Sequence, residues 1–212
     1  MALAVAAALA ATGCGGRHAA ERTTTMTVFR LHGGLLRAER AEVPAARSTP
    51  AAALDALGLD VPVTVGDGTA HVAIGTLAAG RVAEVVYTLT ALRGIDRVDV
   101  AGRHALDRAD VIAYVPLILV ERPAEGASVS MSFRVAGTAS VFEATLVVEL
   151  RRGDRVLVRK TVTASEGAPG RGAFATSLRA PSPGPATIVV FAPSAADGSP
   201  QHVEQVSVAV TG

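Results

Sequence analysis

The hydrophobic positions of the chain change period near its middle. Before that point two periods alternate. Thr25 to Leu31 and Leu35 to Val43 read as strands about His32-Gly33-Gly34, which predicts a hairpin. Thr49-Pro50 supplies an N-cap and a proline at the first helical position, Leu54 and Leu57 an apolar face, and Gly58 a stop, so a short helix follows. Val61 to Val65 and Ala70 to Ile74 flank Gly66-Asp67-Gly68 as strand, tight turn and strand, with Val72 and Ile74 on one face. From Leu77 to Leu92 the apolar residues Val82, Val85, Val86, Leu89 and Leu92 recur at helical spacing. Ile95, Val98 and Val100 predict a last strand ending at Gly102. Residues 25–111 therefore read as an α+β domain, with one or two helices on a small sheet.

From Pro116 onward the helical period is gone. Seven short apolar segments follow, at 117–120, 133–137, 145–150, 156–162, 174–178, 187–191 and 203–210, each bounded by turn or charged residues. Alternation places Phe133 with Val135, Leu146 with Val148 and Leu150, Phe174 with Leu178, and Val206 with Val208 and Val210 on inner faces. The expected fold of residues 116–212 is an all-β immunoglobulin-like sandwich. It has neither the cysteine pair nor the core tryptophan of antibody domains. Gly102 to Pro116 reads as a short interdomain linker.

Composition narrows the function classes. The 212 residues carry 20 Lys+Arg against 19 Asp+Glu, a net charge of +1, which excludes a charge-driven nucleic-acid binder. Aromatics are 3% with no Trp, leaving few stacking platforms for bases or sugar rings. Mean hydropathy is +0.38, yet the longest uncharged apolar stretches, Ala2 to Ala11 and Val111 to Val120, are half the ~20 residues a spanning helix needs.

The first of those stretches runs into Ala11-Thr12-Gly13 and then Cys14, the single cysteine of the chain. An apolar run closed by small residues is an export signal rather than part of the fold. With cysteine directly after it, the segment resembles the lipobox of bacterial lipoproteins. That resemblance implies that Cys14 becomes the diacylglyceryl-modified mature N-terminus, the alternative being an ordinary signal peptide cut after Ala11 or Gly13. Residues 1–14 are then a lipoprotein signal peptide, and 15–24 a polar tether. One cysteine also forbids an internal disulfide.

Two further resemblances rest on longer motifs. Asp67-Gly-Thr-Ala-His-Val-Ala-Ile74, Glu84-Val-Val-Tyr-Thr-Leu-Thr90 and Gly94-Ile-Asp-Arg-Val98 are similar to the GerMN domain of sporulation and spore-germination lipoproteins. Arg122-Pro123-Ala-Glu-Gly126, Val135-Ala-Gly137-Thr-Ala139, Val141-Phe-Glu-Ala144 and Ser194-Ala-Ala-Asp197-Gly198 run in the order seen in Gmad2, the immunoglobulin-like domain found beside GerMN. The pairing implies an extracytoplasmic lipoprotein on the outer face of the cell membrane, related to spore germination or to general envelope maintenance.

Candidate chemistry is sparse. His18, His32, His71, His104 and His202 are scattered without a carboxylate at ligand spacing, and no nucleophile elbow or phosphate-cradling Gly-rich loop is present. Gly167 to Gly172 reads as a loop, and Asp107 and Asp110 as solvated linker charges. No catalytic, metal or cofactor residue is assigned. The candidate partner-binding residues are Glu143, Asp197 and Tyr87, each with a plainer role: Glu143 capping a strand start, Asp197-Gly198 making a turn, and Tyr87 packing on the sheet. Arg151, Arg152, Arg155 and Arg159 form a basic hairpin, suited to anionic lipid or wall polymer and equally to solubility. The expectation is a non-catalytic binding module whose partner is an envelope protein or cell-wall polymer. A wall-associated enzyme and a small-solute receptor are the alternatives.

Overall fold

The computed structural model describes residues 22–45 and 49–212. Cys14, the signal segment and all but the end of the tether lie outside the described residues. Strands β1 (Thr23–His32) and β2 (Leu35–Pro44) pair antiparallel from Thr23↔Pro44 to His32↔Leu35. Gly33 and Gly34 make the turn with φ of 59° and 87°, the pair of positive values that a two-residue hairpin matched to strand twist requires. Because β1 begins at Thr23, the last two residues assigned to the tether belong to the fold.

Helix α1 (Thr49–Ala56) precedes β3 (Val63–Gly66) and β4 (Thr69–Val72), which turn at Asp67 and Gly68. Helix α2 (Ala79–Thr90) then crosses to β5 (Arg97–Val100), which lies parallel to β4. Gly102 does not end this region. It turns the chain into β6 (Arg103–Leu106), antiparallel to β5, giving a four-stranded sheet of order β3-β4-β5-β6 inside the stretch read as linker. Val111 and Val115, also in that stretch, are buried in the first core.

Helix α2 buries Val82, Val85, Val86 and Leu89, the stripe its period predicts. It also completes β1. Thr88 Oγ1 accepts the Phe29 N–H at 2.9 Å, and Glu84 Oε1 accepts the Leu31 N–H at 2.8 Å. Residues four apart on a helix and two apart on a strand are separated by similar distances, ~6 and ~7 Å, so one helix face meets alternate strand amides. Thr88 is fully buried, and Thr88→Val keeps its shape while leaving the Phe29 N–H without a partner. We expect a loss of about 1–3 kcal/mol in urea unfolding, with Thr88→Ser recovering most of it; a Val variant as stable as the parent would refute the role.

The second half contains β7 (Ile118–Arg122), β8 (Ala127–Ser130), β9 (Ser132–Ala139), β10 (Thr145–Arg152), β11 (Arg155–Thr163), β12 (Gly172–Arg179), β13 (Gly184–Pro193) and β14 (Pro200–Thr211). They form two sheets, β11-β10-β13-β14-β8 and β12-β9-β7. Seven of these strands overlap the predicted segments. The eighth, β8, has four residues, two of them serine, and is placed by its parallel pairing with β14. The predicted inner-face residues enclose the sandwich core, with Phe133 partly buried against it.

One strand serves both halves. Ile118 and Val120 enter the sandwich core, whereas Leu119, fully buried, enters the first core with Phe29, Tyr87 and Leu89. A strand covered on both faces needs a continuous apolar run, and Ile118-Leu119-Val120 supplies it. Beyond β7, the Glu125 N–H donates to the Ala38 carbonyl at 2.8 Å and the Arg40 N–H to the Glu125 carbonyl at 3.1 Å. Arg37 pairs with Glu204 at 3.6 Å. The halves are welded, not hinged.

Candidate functional site

Where β7 leaves the shared core its register against β9 shifts, Val120 facing Gly137 but Arg122 facing Ala136. A bulge of this kind re-aims side chains. Glu121 and Arg122, which simple alternation would send to opposite faces, both line a groove between the halves.

Compartments of about 730, 460 and 450 Å³ adjoin one another along this groove. Arg122 lines all three, and Arg134 of β9 lines the two larger. Beneath them the outer face of β9 and β12 offers small side chains, with Ala136 opposite Ala175 and Thr138 opposite Ala173, and the buried Phe174 also lines this compartment. The hydroxyl-bearing Thr25, Thr27 and Ser128 stand along the second compartment.

Arg108 plugs the inner wall. Its Nε donates to Thr90 Oγ1 at 3.0 Å, and its Nη1 donates to both Glu121 oxygens at 3.0 and 3.1 Å. Its guanidinium lies 4.6 Å from the Tyr87 ring centre and 5.9 Å from that of Phe29, two rings packed edge to face at 5.4 Å. Arg171 completes the joint, donating to Thr138 Oγ1 at 3.1 Å and to the Pro116 carbonyl at 2.6 Å, while its Nε is buried without a partner. Burial pushes the Arg171 guanidinium down and the Tyr87 phenol up, the latter opposed by Arg108 and Arg171. Arg40 carries an ion pair with Glu42 at 3.8 Å. Arg122 and Arg134 are exposed and carry no ion pair among the described residues.

The residues singled out from the sequence lie elsewhere. Tyr87 is 2% exposed beneath Arg108, so it packs rather than meeting a partner. Asp197 accepts the Ser199 N–H and hydroxyl in the turn between β13 and β14, with Gly198 at φ 73°. Those two bonds, the hydroxyl's first, hold its carboxyl below the usual range. Glu143 caps nothing. It sits at φ 55° in a turn that leaves its carboxylate in solvent beside Phe142, which is 72% exposed. Of the basic hairpin, Arg151 and Arg159 pair with the buried Glu149, and Arg152 donates to Ser182 and to the Pro183 and Pro185 carbonyls. Those cations are spent on the fold.

The chain does bring histidines to a carboxylate. Asp99 Oδ2 lies 3.0 Å from His71 Nδ1 and 3.4 Å from His104 Nδ1, while Oδ1 accepts the Ala105 N–H at 2.7 Å. Adjacent strands make this contact, so the scattered spacing in sequence concealed it. Among the described residues, no group of three or more His, Cys, Asp or Glu is arranged to hold a metal ion. The Ala105 N–H, then the two imidazoles, hold the Asp99 carboxyl below its ordinary value. A carboxyl depressed by folding adds stability above its unfolded pKa and loses it as pH falls through the folded one. Wild type is therefore expected to exceed Asp99→Asn in urea midpoint near pH 7 and to converge with it near pH 2, about two units below the ordinary Asp value. An equal gap at both would refute the assignment.

Comparison with known proteins bears on the second half. Residues 117–199 match Gmad2, the immunoglobulin-like domain of bacterial spore germination. That stretch is similar to Gmad2 domains. It holds Arg122 and Arg134, together with Glu143 and Asp197, whereas Arg40 and Arg108 come from outside it. No curated protein matches the chain. Among solved structures, the crystal structure of an engineered protein is similar at 17% identity with a TM-score of 0.33. The alignment covers 60% of this chain and 35% of that one, so this chain spans about a third of the other's length.

Sequence reasoning missed Arg108, Arg122 and Arg134. Arginine is the ordinary cation of this chain, with Lys160 its single lysine, so no arginine stood out by type. Arg122 did stand at the head of a Gmad2-like motif, the one local signal available.

Proposed function

We propose that the protein is a non-catalytic binding module of an extracytoplasmic lipoprotein, tethered to the outer face of the membrane through a diacylglyceryl group on Cys14. Its first half is of the GerMN kind and its second is the Gmad2 domain. The groove between them meets an envelope protein or cell-wall polymer. One observation carries this reading: Arg122 and Arg134 stand unpaired in a groove between two halves that share a strand, while the other groove arginines already have partners. A charged group left unpaired costs little at an exposed site and gains on meeting an opposite charge. The shared β7 also favours a fixed module over a receptor that closes around a small solute.

The test is crosslinking in the native membrane fraction from a photoreactive residue at Ala175. Specific envelope adducts should form, and should disappear in Arg122→Glu/Arg134→Glu. Cys14→Ala should release the protein from the membrane or leave it uncleaved. Identical adducts from the charge-reversed variant would overturn the groove as the site.

A further inference from the structure

Resting on that reading of the groove, we infer that its ligand is the phosphodiester backbone of an extended, hydroxyl-bearing polyanion, with Arg122 and Arg134 as the anion clamp. The three compartments that Arg122 lines hold four arginines against one glutamate, and that glutamate is occupied by Arg108. The two free guanidiniums project from neighbouring strands. Arg122 is opposite Ala136, two residues from Arg134 on the same strand, ~7 Å along it. Planar guanidinium forks bind the paired non-bridging oxygens of a phosphate bidentately, which a point charge does not.

The shape selects a chain over a small ion. Three open compartments meet at Arg122, so an anion held there continues into space on more than one side. The floor of Ala136, Ala173 and Ala175 lets a backbone lie against the sheet, bringing charges within the chain itself to the guanidiniums. The groove's aromatic side chains are already covered: Phe174, which lines the largest compartment, is buried in the sandwich core. Phe29, the aromatic ring lining the inner compartment, lies under the Arg108 guanidinium, so bases find no stacking face there. Thr25, Thr27 and Ser128 offer hydroxyls to a polyol instead.

The test uses the full chain and de-acylated poly(glycerol phosphate), with binding measured across a salt series. Arg122→Gln/Arg134→Gln is expected to weaken binding at least tenfold and to flatten the slope of log affinity against log salt by roughly 1.5, as losing two phosphate contacts requires. Both side chains are exposed and unpaired, so the variant should melt with the parent. Arg97→Gln/Arg155→Gln removes the same charge outside the groove and should leave affinity and slope unchanged. Poly-L-glutamate of matched length should bind at least tenfold more weakly than the phosphodiester. The inference falls if wild type does not bind poly(glycerol phosphate), if the groove variant binds like wild type, if the outside variant loses as much, or if poly-L-glutamate binds equally. In those cases, membrane crosslinks that still vanish in the charge-reversed variant preserve the groove as a partner site, and crosslinks that persist remove that reading too.

Discussion

Gly137→Ala should cost more than about 3 kcal/mol, beyond the usual 1–3 for an overpacked core, and leave little soluble folded protein. Gly137 is not in the left-handed region, so alanine meets no backbone penalty there. The obstacle is steric. A Cβ at 137 would stand 2.0 Å from the Leu119 carbonyl oxygen, 3.0 Å from its carbon and 3.1 Å from Phe174 Cε1. The first two atoms are backbone of β7, and that strand cannot retreat, because Leu119 is held in one core while Ile118 and Val120 are held in the other. Phe174, in turn, belongs to the sandwich core. Gly66→Ala is the control, since its Cβ meets no heavy atom within 4 Å. Its stability should stay within about 0.5 kcal/mol of wild type or rise slightly, through the stiffer unfolded chain. Urea unfolding and soluble yield decide it. A well-folded Gly137→Ala with an unchanged midpoint would show that β7 and β9 are not locked together.

Leu119→Ala should cost about 2–5 kcal/mol and lower the stability of both halves at once. Deleting a fully buried leucine leaves a cavity that collapses poorly when its strand is fixed on the opposite face. The chain provides its own reporters. Its two tyrosines, Tyr87 and Tyr114, both contact the first core, while far-UV circular dichroism is dominated by strands of both halves. Tyrosine fluorescence and circular dichroism should trace coincident transitions in wild type and in Leu119→Ala. Val148→Ala, which opens the sandwich core alone, should shift the tyrosine transition as well. Two separated transitions would mean that the halves unfold independently, and that the groove between them has no fixed walls.

The legible part of this protein is local. The helical stripe of α2, the glycine turns at 33–34 and 67–68, and the inner faces of β9, β10, β12 and β14 were all expressed in the order of neighbouring residues. Period and turn chemistry act over a few residues, so the sequence displays them directly. The Gmad2 motifs likewise marked the second half, which the match over residues 117–199 bears out. Where the reading went astray, long-range packing had overridden a local cue. Gly102 looked like a terminus and makes a hairpin, because β6 is held by β5 rather than by its own alternation. The histidines looked scattered, and two of them meet Asp99, because β4, β5 and β6 lie side by side.

Residue order alone set the buried stripe of α2, the hairpin turns and the inner faces of most sandwich strands. The tertiary structure decided that β7 serves both cores, that α2 hydrogen-bonds β1, that Asp99 gathers two histidines, and that Arg108, Arg122 and Arg134 meet at one groove. The division follows the range of the forces. A side chain's period against its neighbours sets which way it points within an element, but which surface it then meets depends on elements tens of residues away, closing together to bury apolar area.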